Sequence, residues 1–407
     1  MKICFLVGSM NISGGTYVIV QHASYLQRAG HQVTLAVQEP FNDATLRWHD
    51  EAPKLRCLPI GEAKAETFDV VIATWWKTAL EIADFDAGHY AYFVQSIESR
   101  FYPESEVPLR ALVDSTYRLP LNFVTEAVWI KSHLGSKFGQ SAALVRNGIR
   151  KDVYTTVGNT VSARPAGSQP RVLVEGHFGV KFKNTALAIK LAKQAGAKDI
   201  WLLTGSPLQW VPGVPRIFSR VPMVKTAEIY RSCDILIKLS TVEGMFGPPL
   251  EMFHCGGTAV VFDVSGHDEY IRNQENAVVV PTGNLRGVVD EVADLIRNTG
   301  RLNRLKEGAL ATAADWPSWE ASSMEFATWL ESDALRVPAD RKGIAGMNAQ
   351  AFSRYDIDEK GRLQNNPGII RRHKLSGLAA KLPPTLLRRL KAFEAAGEMI
   401  FGGNKVH

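Results

Sequence analysis

The chain has 407 residues, 45% of them hydrophobic and 22% charged, a balance that suits a globular protein with room for two large cores and an extension. No apolar run approaches the roughly 18 residues that a membrane-spanning helix needs, which excludes an integral membrane protein of that kind. The net charge of +6 sits at one end: residues 371–407 hold eight lysines and arginines against two glutamates, and the rest balances at 39 of each sign, so the basic character is no argument for nucleic acid.

In chain order, Lys2-Ile-Cys-Phe-Leu-Val7 predicts a buried strand, too short and too poorly flanked for a signal peptide. A glycine-containing loop with Gly14 and Gly15 follows, then a helical pattern to Gly30 and a second strand over 32–37. This is a βαβ opening in which paired glycines let a ligand approach the backbone, although it lacks the dinucleotide spacing. Strands over 69–73 and 89–94 end in polar-aromatic clusters, the first with Trp75 and Trp76, the second with Gln95, Glu98, Arg100 and Tyr102. Ligands of open α/β sheets bind past such strand ends, and aromatics beside carboxylates and amides suit a sugar. Packing accounts for Trp75 and Trp76 equally well. Strands near 121–125 and 143–149 close the first half, and the small, proline-containing stretch 158–170 predicts a linker.

The second half opens with Arg171-Val-Leu-Val-Glu175, then His177, Lys181 and Lys183 ahead of a helix over 185–195. Lysines at a helix N-terminus oppose its dipole unless an anion lies there. The apolar run Asp234-Ile-Leu-Ile-Lys-Leu239 predicts a central buried strand. It leads into Glu243-Gly-Met-Phe-Gly-Pro-Pro-Leu-Glu251. Pro248 and Pro249 suit a first helical turn, and Gly256 and Gly257 its end. The amides of Gly244, Met245, Phe246 and Gly247 are expected to open toward an anion, with Glu243 on the loop and Glu251 a turn into the helix. Four cysteines without metal spacing (Cys4, Cys57, Cys233, Cys255) predict free thiols in a reducing cytoplasm.

Glu243 and Glu251, with the glycines and prolines between them, resemble the E-x7-E motif of family 4 of the retaining glycosyltransferases. Gly14-Gly15 and 29–34 resemble that family's opening, and the likeness extends over roughly 1–330. It implies an α/β, GT-B fold: a Rossmann-like acceptor domain over 1–160 and a Rossmann-like donor domain over 170–330, with parallel sheets facing across a cleft. Residues 331–407 form an extension. It also implies a nucleotide diphosphate sugar as co-substrate, no cofactor and no metal. Gly14, Gly15, His177, Lys181, Lys183 and Gly244 to Gly247 would hold the diphosphate, with His177 standing where the family usually has arginine. Gly205 and Val221 would lie near the base, with Leu250 beside the loop. Glu243 would position the donor sugar and Glu251 the ribose. Gln95 or Glu98 would orient the acceptor hydroxyl, Gln95 standing where many relatives carry histidine. Trp75, Trp76, Arg100 and Tyr102 would bind a saccharide or lipid-linked glycan acceptor. The string around Gln95 resembles a rhamnosyltransferase subgroup similar to rhamnan and S-layer glycan enzymes. The tail over 371–407, with an amphipathic basic pattern over 384–401, is expected to meet an anionic membrane surface or an assembly partner, which would make a cytoplasmic enzyme peripheral to the inner membrane face. The rival readings are a sugar-nucleotide epimerase of the same architecture and a non-catalytic scaffold in glycan assembly.

Overall fold

The computed structural model describes residues 1–165, 167–332, 335 and 337–365. Within these the chain divides into two units, each described by itself. The first takes Met1–Arg47, Glu51–Asn147 and the described residues from Trp319 on; the second takes Trp48–Asp50 and Gly148–Ser318.

The first unit is built on seven parallel strands: β1 (Lys2–Val7), β2 (Gln32–Val37), β3 (Arg56–Pro59), β4 (Thr67–Ala73), β5 (Asp86–Val94), β6 (Asn122–Thr125) and β7 (Ala142–Leu144). Their order is β3-β2-β1-β4-β5-β6-β7. Runs such as Cys4 to Leu6 and Val71 to Ala73 are fully buried, as strands covered by helices on both faces must be. The helix Gly14–Arg28 starts at Ser13, whose hydroxyl accepts the Thr16 amide.

The second unit has six parallel strands, β8 (Val172–Glu175), β9 (Ile200–Thr204), β10 (Arg216–Ser219), β11 (Ile235–Lys238), β12 (Thr258–Phe262) and β13 (Val278–Val280). They are ordered β10-β9-β8-β11-β12-β13. In both sheets the strand order therefore reverses beside the first strand, at β1/β4 and at β8/β11. Such a switch point leaves a crevice at the carboxyl ends of the two strands. Two Rossmann-like units of this kind are the GT-B class that the sequence resemblance implies.

The division along the chain is not a single cut between 160 and 170. The helix Trp319–Glu331, which falls almost wholly within the 170–330 span expected for the donor domain, goes with the first unit. Phe326 stacks on His22 at 4.4 Å and lies 5.5 Å from Phe93 and 6.1 Å from Phe5. It covers the apolar face that β1, β5 and the first helix would otherwise expose. Burial alone drives the His22 imidazole down to about 3, so it stays neutral. The stretch 333–370, for which the sequence predicts no element, contains a further helix, Arg341–Asn365. Ile344 buries in the first core, and the Asn348 side-chain amide donates to the Leu80 carbonyl at 2.9 Å. Among the described residues no helix is long and apolar enough to cross a membrane. The basic tail over 371–407 lies outside the described residues.

Candidate donor site at the second switch point

Two cross-ties bring the β8 loop and the β11 loop together. The Thr241 amide donates to the Phe182 carbonyl at 2.9 Å. The side chain of Asn184, itself in the left-handed region at φ 49°, donates to the Leu239 carbonyl at 2.9 Å. Lys183, between these ties, is thereby turned inward. Its Nζ meets both carboxylate oxygens of Glu243 at 2.8 Å. Lys181, two residues earlier, is exposed.

The sequence reading missed two residues that complete this cluster. Ile237 pairs in register with Val174, and one step on, Lys238 of β11 forms an ion pair with Glu175 of β8. The Lys238 side chain is 2% exposed, and its Nζ lies 3.7 Å from Glu243 Oε1. A lysine inside an apolar parallel strand needs a buried counter-ion, and that was the available signal. Its partner is 63 positions away, which hid the pairing.

The result is a chain of alternating sign: Glu175, Lys238, Glu243, Lys183. Burial pushes the Glu243 carboxyl up, but the ammonium groups of Lys183 and Lys238 outweigh it and hold Glu243 below the ordinary carboxylate range. Burial draws Lys183 down against the pull of Glu243. Lys238 is also opposed by burial, yet Glu175 and Glu243 together hold it above the usual lysine value.

Glu251 rises from the helix Gly247–His254 into the same field. Burial raises its carboxyl to about 7; the Tyr230 hydroxyl opposes this, and Glu175 adds to it. The His177 ring lies against Gly205, where a Cβ would sit 2.1 Å from it. Burial lowers the imidazole, partly countered by Glu175. His177 is therefore neutral near pH 7 and does not replace an arginine. The second buried cation is Lys238 instead. Arg220, at the end of β10, is another residue the sequence reading missed. It is held at φ 55°, an uncommon conformation for arginine, with Nε donating to the Gly205 carbonyl at 3.2 Å.

One amide of the expected four-amide anion cradle is engaged within the loop: the Gly247 amide donates to the Met245 carbonyl at 3.0 Å. The helix start does lack a side-chain cap. Phe246 and Leu250 put their side chains in the core at 0% exposure. Phe246 lies under the Lys238 ammonium at 6.0 Å. Val221 is half-buried against the same core.

In the first unit the structure separates the expected acceptor residues. Glu98 is corrected from an acceptor-orienting group to an internal one. Its carboxyl accepts the Trp76 amide at 2.7 Å and the Tyr92 hydroxyl at 3.1 Å, and burial raises it to about 8. Trp76 is likewise packing: it is 5% exposed and donates from Nε1 to the Tyr102 hydroxyl at 3.1 Å. Trp75 and Tyr102 are half-buried, and Lys77 stands 4.7 Å over the Trp75 ring. Arg100 stacks 4.9 Å over Trp129. Gln95 does join Gly15: a Cβ on Gly15 would meet the Gln95 side-chain oxygen at 3.4 Å. That oxygen is buried and, among the described residues, has no hydrogen-bond partner. Gly14 and Gly15 open the first helix.

Comparison with known proteins agrees with this geometry. Residues 216–311, which include the Glu243–Glu251 loop, match the family described as Glycosyl transferases group 1. The chain is 25% identical over 266 residues to the O-antigen biosynthesis protein RfbC of Myxococcus xanthus. That match covers 62% of this chain, which spans about a fifth (20%) of the relative's length. In structure it is similar to Anabaena HepE in complex with UDP-glucose, with a TM-score of 0.64 and 14% identity over 81% of this chain and 99% of that one. It is also similar to the sucrose-phosphate synthase of Thermosynechococcus elongatus, with a TM-score of 0.63 and 12% identity over 81% and 98%. The lipopolysaccharide glycosyltransferase WaaG matches with a TM-score of 0.59 and 11% identity over 81% and 99%. The domain match is to a glycosyltransferase family, and the structural neighbours share the two-unit fold.

Proposed function

We propose that this protein is a glycosyltransferase of surface-polysaccharide synthesis that moves a sugar from a nucleotide diphosphate donor to a glycan acceptor. The observation that carries this reading is the Lys183–Glu243 pair at the β8/β11 switch point. The crevice past such strand ends is where ligands bind in open α/β sheets. A lysine ammonium has three N–H donors, which a phosphate can draw away from Glu243. Glu243, kept ionised, faces the donor sugar, where positive charge develops as the diphosphate departs. Lys183 stabilises the negative charge growing on the leaving group. Glu251 accepts the ribose hydroxyls. The neighbour crystallised with UDP-glucose and the O-antigen relative are consistent with a nucleotide sugar and a polysaccharide product.

The finer assignments belong to this reading as well. They are retention of anomeric configuration, transfer without a metal, membership of family 4, rhamnose as the sugar, and a lipid-linked acceptor at the inner membrane face. In this reading Gln95 accepts a substrate hydroxyl; its side-chain oxygen, near Gly15 and without a hydrogen-bond partner among the described residues, supports the assignment. The test is transfer from labelled UDP-, dTDP-, GDP- and ADP-sugars, with and without a glycan acceptor. Acceptor-dependent release of the nucleoside diphosphate is expected from one of them. Conversion of the donor to an isomer without an acceptor would replace this reading with an epimerase.

A further inference from the structure

Glu243 is faced by charges from several elements. Lys183 comes from the loop ahead of the helix Thr185–Gln194, Lys238 from β11 and Glu175 from β8. His177 and Glu251 border the same cluster, and the Tyr270 hydroxyl feels the Glu243 charge. The two lysines are not equivalent. Lys183 is 21% exposed at its side chain, ends a single 3-10 turn over Lys181–Lys183 and binds Glu243 with two short contacts. Lys238 is sealed in the sheet, anchored by Glu175, with the Phe246 ring beneath it, and stands back at 3.7 Å from Glu243. It can neither reach solvent nor follow a ligand.

We propose that Lys238 is a positioning residue that acts as the reserve counter-ion of Glu243, taking over its charge when Lys183 turns to a donor diphosphate. This rests on the donor reading above. Its logic is electrostatic. A phosphate competes with Glu243 for the Lys183 ammonium. If Lys183 were the sole partner, Glu243 would be left buried and unpaired on loading, and burial would drive it to take up a proton. A protonated Glu243 would face the developing positive charge as a neutral group. Glu175 completes the device by holding Lys238 in place, so that it does not close on Glu243 in the empty site. The exchange moves no proton and breaks no covalent bond; it transfers one ion pair.

The experiment is a ¹³C NMR titration of glutamate carboxyls in the full chain, with the Glu243 signal assigned through Glu243→Gln. Lys183→Met imitates the departure of Lys183. In that variant, and in Lys238→Met, the Glu243 titration is expected to move up by about one unit or less. In the double variant Lys183→Met/Lys238→Met it is expected to move up by about two units or more. If Lys183→Met alone lifts Glu243 as far as the double variant does, Lys238 holds no reserve and the proposal is overturned. Should Lys238→Met fail to fold, Glu175→Gln/Lys238→Met removes both anchor charges and replaces it as the background. Calorimetry of the wild type with UDP, dTDP, GDP and ADP separates the two levels. Binding by none of them overturns the donor reading and the exchange with it. Binding of one, lost in Lys183→Met while Glu243 titrates there as in the double variant, overturns the exchange alone.

Discussion

Glu98 in the first unit and Glu243 in the second make a controlled comparison. Both are glutamates a few residues past the carboxyl end of a strand, Glu98 buried and Glu243 nearly so with its side chain 10% exposed, and burial pushes both carboxyls up. Glu98 has an amide and a phenol as partners, and it ends at about 8. Glu243 has two ammonium groups and ends below the ordinary range. Position past a strand end is therefore a poor guide to role, and the counter-ion decides it. The first carboxyl has become part of a core, whereas the second has been kept charged against the cost of burial.

The largest expected effect lies on the second side. Glu243→Ala or Lys183→Ala should reduce transfer by about 10²–10³-fold, the cost of losing one preorganised charge at a reacting centre. Glu98→Gln should reduce it far less in the same labelled-donor assay. Equal losses would erase the contrast between the two carboxyls.

The second effect is on stability. The folded value of Glu98 lies above its ordinary value of 4.5, so between these limits the folded state binds a proton that the unfolded state releases. The contribution of Glu98 to stability should then fall as pH rises from about 4.5 to about 8, with a limiting slope of about 1.4 kcal/mol per pH unit. Because His22 and Glu251 add slopes of their own over part of this window, the measure is the difference in denaturant stability between wild type and Glu98→Gln at several pH values, which should change with this slope. A difference that does not change with pH would contradict it.

Glu251 sharpens the comparison further, because it is also raised, to about 7, yet it lies in the second unit's charged cluster. If its carboxylate holds the ribose, donor affinity should fall as pH drops below about 7, by up to about tenfold per unit. Glu251→Gln should remove the pH dependence along with much of the affinity, whereas Glu98→Gln should leave the donor titration curve unchanged. The smallest effect is expected at Lys181, exposed and two residues from Lys183. Lys181→Ala should change donor affinity by about twofold or less, in keeping with the low worth of solvated charges.

Much of this was legible from local pattern. The apolar runs over 2–7 and 234–239, the paired glycines and the prolines at 248 and 249 are local signals, and each lies in or beside the element they predict. What stayed hidden was long-range. Lys238 reads as one polar letter in an apolar strand until Glu175 is seen on the neighbouring strand. The return of Trp319–Glu331 to the first unit depends on Phe326 meeting His22 and Phe93, some 300 and 230 residues earlier. Glu98 looked like surface chemistry, and Trp76 stayed open between packing and binding, because a sequence does not say which way a loop folds over its own sheet. Of the four expected cradle amides, the Gly247 amide is turned back onto the Met245 carbonyl, a local bond that no residue type in the loop announces.

The central claim is that a donor diphosphate binds at the second switch point through Lys183 beside an ionised Glu243. Calorimetric titration of the wild type and Lys183→Met with UDP-, dTDP-, GDP- and ADP-sugars tests it most directly. The account predicts that at least one donor binds the wild type and that Lys183→Met weakens it by about tenfold or more. Unchanged affinity in the variant, or no binding by any of the four, would contradict it.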